Sequence, residues 1–97
     1  MIVLEIQHAT TDFDAWKQGF DSDPAGRAAR GVRRYSVARG VDRPEQVCVR
    51  LEFDTVAEAQ GLLDGLAAVW ERTLTPLGIT PTAQLFEVVD SVELASA

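Results

Sequence analysis

The sequence predicts a ferredoxin-like α+β domain, with the elements in the order strand, helix, strand, strand, helix, strand. Residues 2–9 and 46–54 alternate between apolar and polar side chains, as half-buried strands do. Aromatic residues at helical spacing follow the first of these strands, and a helix-capping pair follows the other. Two halves that each lay a helix over a sheet form the split βαββαβ pattern. We therefore expect a four-stranded antiparallel sheet with both helices on one face.

The first half contains the clearest alternation. Every second residue from Ile2 to His8 falls on one face, which predicts a half-buried strand. Asp12 and the two threonines before it supply oxygens that accept bonds from the first free amides of a helix, predicted over about residues 12–21. The aromatic side chains of this helix are predicted to face the sheet: Phe13, Trp16 and Phe20.

The link to the second half has its own signals. Pro24 suits a first helical position, which predicts a short turn of helix over 25–30, and Gly31 is a natural residue to end it. Residues 32–39 are predicted to form the second strand. A loop containing Pro44 leads to the third strand, predicted over residues 46–54.

Thr55 and Glu58 match a capping box, so a second helix is predicted to begin here. Its predicted apolar stripe comprises Val56, Ala59, Leu63, Leu66 and Trp70. Pro76 and Gly78 end the pattern, a last strand follows over about 82–90, and residues 91–97 are expected to form a flexible tail.

Composition excludes several classes of protein. The 97 residues are enough for a single domain, residues 1–97. The net charge of −6 repels phosphate backbones, so nucleic acid is not an expected partner. The apolar runs are too short to span a membrane, and the amino terminus lacks the basic region of a secretory signal. A single cysteine, Cys48, forms no intrachain disulfide, which is typical of a cytoplasmic protein.

Two helices cover only one face of a four-stranded sheet, so the other face needs an explanation. The predicted strand order places Glu5 beside Arg50 on that face, together with Val3, Cys48 and one of the apolar residues of the last strand. In one interpretation the face is solvated and carries a surface ion pair of little energetic value. In the other, two copies pack sheet against sheet as a homodimer.

The chain resembles the dimeric α/β-barrel superfamily, and in particular the small proteins similar to antibiotic-biosynthesis monooxygenases and their cyclase-like relatives. The resemblance covers nearly the whole chain. It rests on the strand ending in His8, the run Asp12-Phe13-Asp14-Ala15-Trp16-Lys17, Phe20-Asp21, Gly31, and Val47 to Phe53 leading into the second helix. It implies a symmetric dimer whose two sheets close a barrel, and this favours the homodimer.

The resemblance also implies kinds of chemistry. Some members oxidise or cyclise polycyclic aromatics without metal or flavin, and others degrade haem. The cofactor-free oxygenases use tryptophan, asparagine, tyrosine and arginine in a cavity; this chain has no asparagine, and Trp70 and Tyr35 match two of these residues by type alone. The haem-degrading members use a histidine on a helix, whereas His8 is predicted on a strand. We therefore expect no cofactor.

His8, the only histidine, is a candidate general base, because imidazole titrates near neutral pH. Its alternative role is structural, as a hydrogen-bonding group near the turn at residues 10–12. The predicted catalytic set is His8, Tyr35 and Trp70, and the predicted pocket-lining set is Trp16, Phe20 and Leu66. The alternative is that these aromatic residues form a packed core, as aromatic residues at helical spacing usually do.

Other reactive residues are less suggestive. One histidine and one cysteine on opposite faces do not provide the ligands of a zinc site, and Cys48 has no histidine near it to activate the thiol. Arg27, Arg30 and Arg33 flank Gly31; they are expected to form a solvated edge, with a rim for an anionic ligand as the alternative.

Two functional hypotheses from different classes follow. The first is a small cytoplasmic enzyme that binds an aromatic or polyketide-like molecule, as a cofactor-independent monooxygenase or cyclase. The second is a non-catalytic dimeric module that binds a ligand or a partner. A void of about 300 Å³ or more, bounded by His8 or Tyr35, would favour a ligand site over a packed core.

Overall fold

The computed structural model describes residues 1–95 and has the predicted βαββαβ order. Its elements are β1 (Ile2–Ala9), α1 (Phe13–Asp21), β2 (Arg34–Arg39), β3 (Gln46–Phe53), α2 (Val56–Thr73) and β4 (Thr82–Glu87), with 3-10 turns at Ala28–Arg30 and Thr75–Leu77. The strands form one antiparallel sheet in the order β2-β3-β1-β4, so the ferredoxin-like fold is confirmed. Among residues 1–95, no helix is both long and apolar enough to cross a membrane.

The register of β1 explains why the sheet has one apolar face. Leu4 pairs with Leu51 of β3 on one side and with Leu85 of β4 on the other. Because side chains alternate along a strand, this register places the apolar sets of the three strands on the same face. It also places Glu5 opposite Arg50 on the other face, as the sequence predicted.

The core lies between this apolar face and α2. Its fully buried side chains include those of Leu4, Val47, Leu51, Phe53 and Leu62. Burying an aliphatic or aromatic side chain of this size contributes about 1.5–3 kcal/mol, so contact between α2 and the sheet supplies most of the hydrophobic stabilisation.

The buried stripe of α2 differs from the predicted one at two residues. Val56 is 53% exposed, whereas Leu62, absent from the prediction, is fully buried. Val56 is the first residue of the helix, before α2 comes over the sheet, and Leu62 follows the buried Ala59 by three residues. At the cap, the Glu58 amide donates to the Thr55 hydroxyl oxygen at 3.2 Å, and the Thr55 hydroxyl donates to the Glu58 carboxylate at 3.1 Å.

The segment between α1 and β2 is a turn rather than the predicted helix over 25–30. Asp23 and Gly26 have left-handed backbone conformations, with φ of 54° and 70°, and only Ala28–Arg30 form a short 3-10 helix. The Asp23 carboxylate accepts a hydrogen bond from the Arg27 amide at 2.8 Å, which closes the turn. Gly31 ends the 3-10 helix with a φ of 97°, as predicted.

Three strands are shorter than predicted, β3 by one residue because it ends at Phe53 rather than at residue 54. β2 begins at Arg34 rather than at residue 32, and β4 ends at Glu87 rather than at residue 90. After β4, the Val88 amide donates to the Met1 carbonyl at 2.9 Å, and residues 88–95 have no regular secondary structure. Of the predicted tail at 91–97, residues 96 and 97 lie outside the described residues.

The corrected stripe can be tested by comparing two truncations on α2. Leu62→Ala is expected to lower the free energy of unfolding by about 2–5 kcal/mol, because it leaves a cavity beneath the helix. Val56→Ala on the exposed side of the same helix is expected to change it by less than about 1 kcal/mol. Urea unfolding followed by circular dichroism at one fixed protein concentration measures both. Equal losses for the two variants would contradict this core.

Candidate functional site

A cavity of about 520 Å³ lies between α1, the second half of α2 and the sheet. Its floor consists of side chains from β1 and β3: Ile6, His8, Val49 and Leu51. None of the residues of α1 is buried, although its aromatic side chains point toward the sheet. The large rings keep the helix away from the strands, so open space remains where a smaller set of side chains would pack closely.

One wall of the cavity is a row of aromatic rings. The His8 ring meets the Trp16 ring edge-on, with centroids 5.2 Å apart, and Trp16 stacks on Phe20 at the same separation. Leu66, Val69 and Trp70 line the cavity from α2. Flat apolar walls with a few polar groups are typical of sites for small aromatic ligands.

His8 is 5% exposed and is held by one hydrogen bond, which joins its Nδ1 to the Ala9 carbonyl oxygen at 2.9 Å. Because a carbonyl only accepts, we assign the proton to Nδ1, and the lone pair of a neutral ring then lies on Nε2. Within residues 1–95 the ring has no other hydrogen-bond partner, so Nε2 is unpaired. Every fully buried polar side-chain atom in these residues does have a hydrogen-bond partner, so Nε2 is not fully buried. Nε2 is therefore accessible from the cavity.

The structural alternative for His8 involved the turn at residues 10–12. That turn is closed without the imidazole, because the Thr10 hydroxyl lies 3.3 Å from both the amide and the carbonyl of Asp12. The Asp12 carboxylate caps α1 by accepting from the Ala15 amide at 3.0 Å.

The cavity brings together most of the candidate residues. His8, Trp16, Phe20, Leu66 and Trp70 all line it. Tyr35 is not among its lining residues. The side chain is 43% exposed and contacts Phe20, with ring centroids 5.3 Å apart. Tyr35 does lie on the helix-facing side of the sheet, but β2 is the edge strand, and Phe20 stands between its ring and the cavity.

The structure adds a residue that the sequence did not place in the pocket. Arg27 lines the cavity beside Phe20, and its guanidinium lies 3.9 Å from the centroid of the Phe20 ring. The sequence signal for this residue was the arginine cluster around Gly31, for which a rim for an anionic ligand was the alternative to a solvated edge. Asp23 and Arg72 also line the cavity, so its charged groups include both signs.

Cys48 lies on the opposite face of the sheet from His8, as its pairing with Gln7 requires. Burial, and then the negative charge of Glu5, raise the pKa of the Cys48 thiol, while Arg50 partly opposes them. A raised pKa leaves less of the reactive thiolate at neutral pH. Among residues 1–95, no group of three or more His, Cys, Asp or Glu side chains is arranged to hold a metal ion.

The fold defines a class, the small ferredoxin-like α+β proteins, and solved structures superpose on nearly the whole of this chain. SnoaB, a cofactor-independent oxygenase from Streptomyces nogalater, superposes with a TM-score of 0.68 at 14% identity, over 94% of this chain and 95% of that one. A variant of MhuD with manganese protoporphyrin IX bound in its active site superposes with a TM-score of 0.65 at 18% identity, over 94% and 98% of the two chains.

A third structure is named as a dimeric ferredoxin-like protein from an uncultured marine organism. It superposes with a TM-score of 0.63 at 14% identity, over 94% of this chain and 97% of that one. The sequence matches no known protein-family profile and no curated protein. At these identities the likeness establishes the fold, and the activity has to be argued from the site itself.

Proposed function

We propose that this protein binds a flat aromatic or polyketide-like molecule in the cavity between α1 and α2, and that His8 acts on it as a general base. The observation that carries the proposal is a cavity of about 520 Å³ with His8 in its wall. Ligand pockets typically enclose about 300–1,000 Å³. The rings of Trp16 and Phe20 offer the ligand an apolar wall, and Trp70 lines the cavity from α2.

The hydrogen bond of His8 supports its role as a base. With Nδ1–H bound to the Ala9 carbonyl, Nε2 accepts a proton from an acidic C–H or phenolic O–H, and the electron pair stays on the ligand as an enolate or phenolate. The carbonyl also stabilises the imidazolium that forms. In a cyclisation the enolate carbon then attacks a carbonyl carbon of the same molecule, and the resulting alkoxide takes the proton back from His8; in an isomerisation the proton returns to a different carbon. An oxygenation would need dioxygen as a co-substrate, as the similarity to a cofactor-independent oxygenase suggests.

Of the two other residues predicted to be catalytic, Trp70 is proposed to contact the ligand. Tyr35 is proposed to position other residues rather than to contact the ligand, because its ring contacts Phe20 and its centroid lies 4.8 Å from the Arg27 guanidinium. The alternative function, a non-catalytic binding module, requires the same cavity but no proton transfer at His8.

The uncovered sheet face supports a second proposal, that two copies pair through it. Phe86 projects from this face and is 40% exposed. The charged side chains of this face are already paired with opposite charges. Arg34 is bonded to Glu52 at 2.8 Å, and Arg50 lies 3.7 Å from Glu5. A second copy related by a two-fold axis would meet this face with an equivalent one, so apolar groups would be buried without net charge repulsion. The similarity to a protein named as dimeric supports this arrangement.

The segment after β4 supports pairing as well. Val89, Val92 and Leu94 are all largely exposed within one chain. These are three largely exposed, large apolar side chains within residues 88–95, and a second sheet placed against the open face would give them a surface to cover.

Binding can be tested with a neutral probe, anthraquinone-2-carboxamide. Both tryptophans of the sequence line the cavity, so binding is expected to quench their fluorescence. Leu66→Phe projects a ring into the cavity and narrows the space for the ligand, so it is expected to weaken binding at least about tenfold, a loss of about 1.4 kcal/mol. Val56→Phe adds the same ring to the exposed side of α2 and is expected to leave binding unchanged. Equal effects of the two variants would contradict the site.

Catalysis can be tested through proton exchange. The benzylic protons of 2-tetralone, an aromatic ketone, exchange with deuterium oxide through its enolate, and proton NMR follows the loss of signal. His8→Gln is expected to slow protein-catalysed exchange by about a hundredfold or more, because the general base is removed. Binding of the anthraquinone probe should persist in this variant. Persistence of binding together with unchanged exchange would favour the non-catalytic module.

Pairing of copies can be tested by sedimentation equilibrium. The wild-type protein is expected to sediment as a dimer, and Phe86→Asp is expected to dissociate it by placing unpaired charges in the interface. Val41→Asp, in the exposed turn between β2 and β3, is the matched control and should remain dimeric. A wild-type protein that stays monomeric at high concentration would overturn this proposal.

A further inference from the structure

We infer that Arg27 recognises an anionic oxygen group, such as a carboxylate, on the molecule that enters the cavity. The inference rests on the proposed function, because it concerns the same cavity and names the class of ligand more narrowly. The ligand would be a planar aromatic acid whose anionic end lies away from His8.

The Arg27 side chain is largely buried and fixed in place. It is 13% exposed, and its guanidinium lies 3.9 Å from the Phe20 ring centroid and 4.8 Å from that of Tyr35. Its Nη1 donates to the Phe20 carbonyl oxygen at 2.8 Å. Two aromatic contacts and one hydrogen bond hold the planar group in one orientation, so little conformational entropy remains to be lost when a ligand binds.

Part of the guanidinium is left without a hydrogen bond. Nε lies 3.6 Å from the Asp23 carboxylate, which is an ion pair but too long for a hydrogen bond. Nη2 has no hydrogen-bond partner among residues 1–95. Every fully buried polar side-chain atom in these residues has a partner, so Nε and Nη2 are not fully buried. These nitrogens are therefore accessible, and the residue to which they belong lines the cavity.

The neighbouring arginines are used differently. Arg30 donates to the Ala25 carbonyl and, at 2.9 Å, to the Gly61 carbonyl of α2, so it ties the turn to the helix. Arg33 forms two hydrogen bonds with the Asp54 carboxylate. Of these three arginines around Gly31, only Arg27 combines a place in the cavity wall with donors that no described protein group uses.

The position of Arg27 also specifies the geometry of the ligand. His8, Trp16, Phe20 and Arg27 follow one another in van der Waals contact along one side of the cavity. A planar molecule lying against this row of residues would offer its reacting proton to His8 at one end and an anionic oxygen to Arg27 at the other. Charge-assisted hydrogen bonds of this kind are about twice as strong as neutral ones.

Asp23 modulates this site because its carboxylate competes with the ligand for Arg27. It has a left-handed backbone with a φ of 54°, and its Oδ1 accepts from the Arg27 amide at 2.8 Å. Asparagine tolerates this backbone conformation and supplies the same acceptor, but carries no charge. Asp23→Asn should therefore preserve the turn while leaving Arg27 more available to an anion.

The test compares two probes of the same shape, anthraquinone-2-carboxylate and anthraquinone-2-carboxamide, by quenching of tryptophan fluorescence. The wild-type protein is expected to bind the carboxylate about tenfold more tightly than the carboxamide. Arg27→Gln should abolish this preference, and Asp23→Asn should increase it. Arg43→Gln, which removes the same charge at an exposed position outside the cavity, should leave it unchanged.

The outcomes separate this inference from the proposed function. Equal wild-type affinity for both probes would overturn the role of Arg27 while leaving the aromatic site intact. Failure of both probes to bind would overturn the aromatic site and this inference with it. If Arg27→Gln does not fold, the inference is tested by the wild-type preference for the carboxylate probe and by the effect of Asp23→Asn on that preference. An unchanged or smaller preference in Asp23→Asn contradicts the inference.

Discussion

The site depends on the distance at which α1 is held above the sheet. α2 packs directly on β1 and β3, with Leu62 fully buried beneath it, whereas no residue of α1 is buried. Where α2 packs directly on the sheet it presents Ala59 and Leu62, whereas α1 faces the sheet with phenylalanine and tryptophan. One helix therefore completes the core, and the other forms the wall of a cavity.

The turn after α1 completes that wall and is held by polar contacts more than by apolar ones. Asp23 closes the turn, Arg30 ties it to the Gly61 carbonyl, and Arg27 lies against Phe20. Gly65 on α2 allows this arrangement, since a Cβ there would come within 3.1 Å of the Arg30 guanidinium. A segment fixed in this way can change its side chains without disturbing the core, which suits a place where ligand specificity is decided.

The similar structures illustrate how little the fold restricts chemistry. One is named as a cofactor-independent oxygenase and another contains a bound manganese porphyrin, yet both superpose on nearly all of this chain. What differs among such proteins is the lining of the space between helices and sheet. In this chain the lining combines a histidine with an accessible Nε2, a row of aromatic rings and a partly unpaired arginine.

The sequence by itself determined the order of the elements, the faces of β1 and β3, the caps at Asp12 and Thr55, and the sheet-facing direction of Trp16, Phe20 and Trp70, because periodicity and capping are local properties. Periodicity gives the direction of a side chain but not the distance between two packed elements. Only the tertiary structure therefore decided that these aromatic residues enclose a cavity. The tertiary structure also placed Tyr35 against Phe20 on an edge strand, through a contact between distant parts of the chain. It brought Arg27 into the cavity wall through a turn that contains left-handed residues.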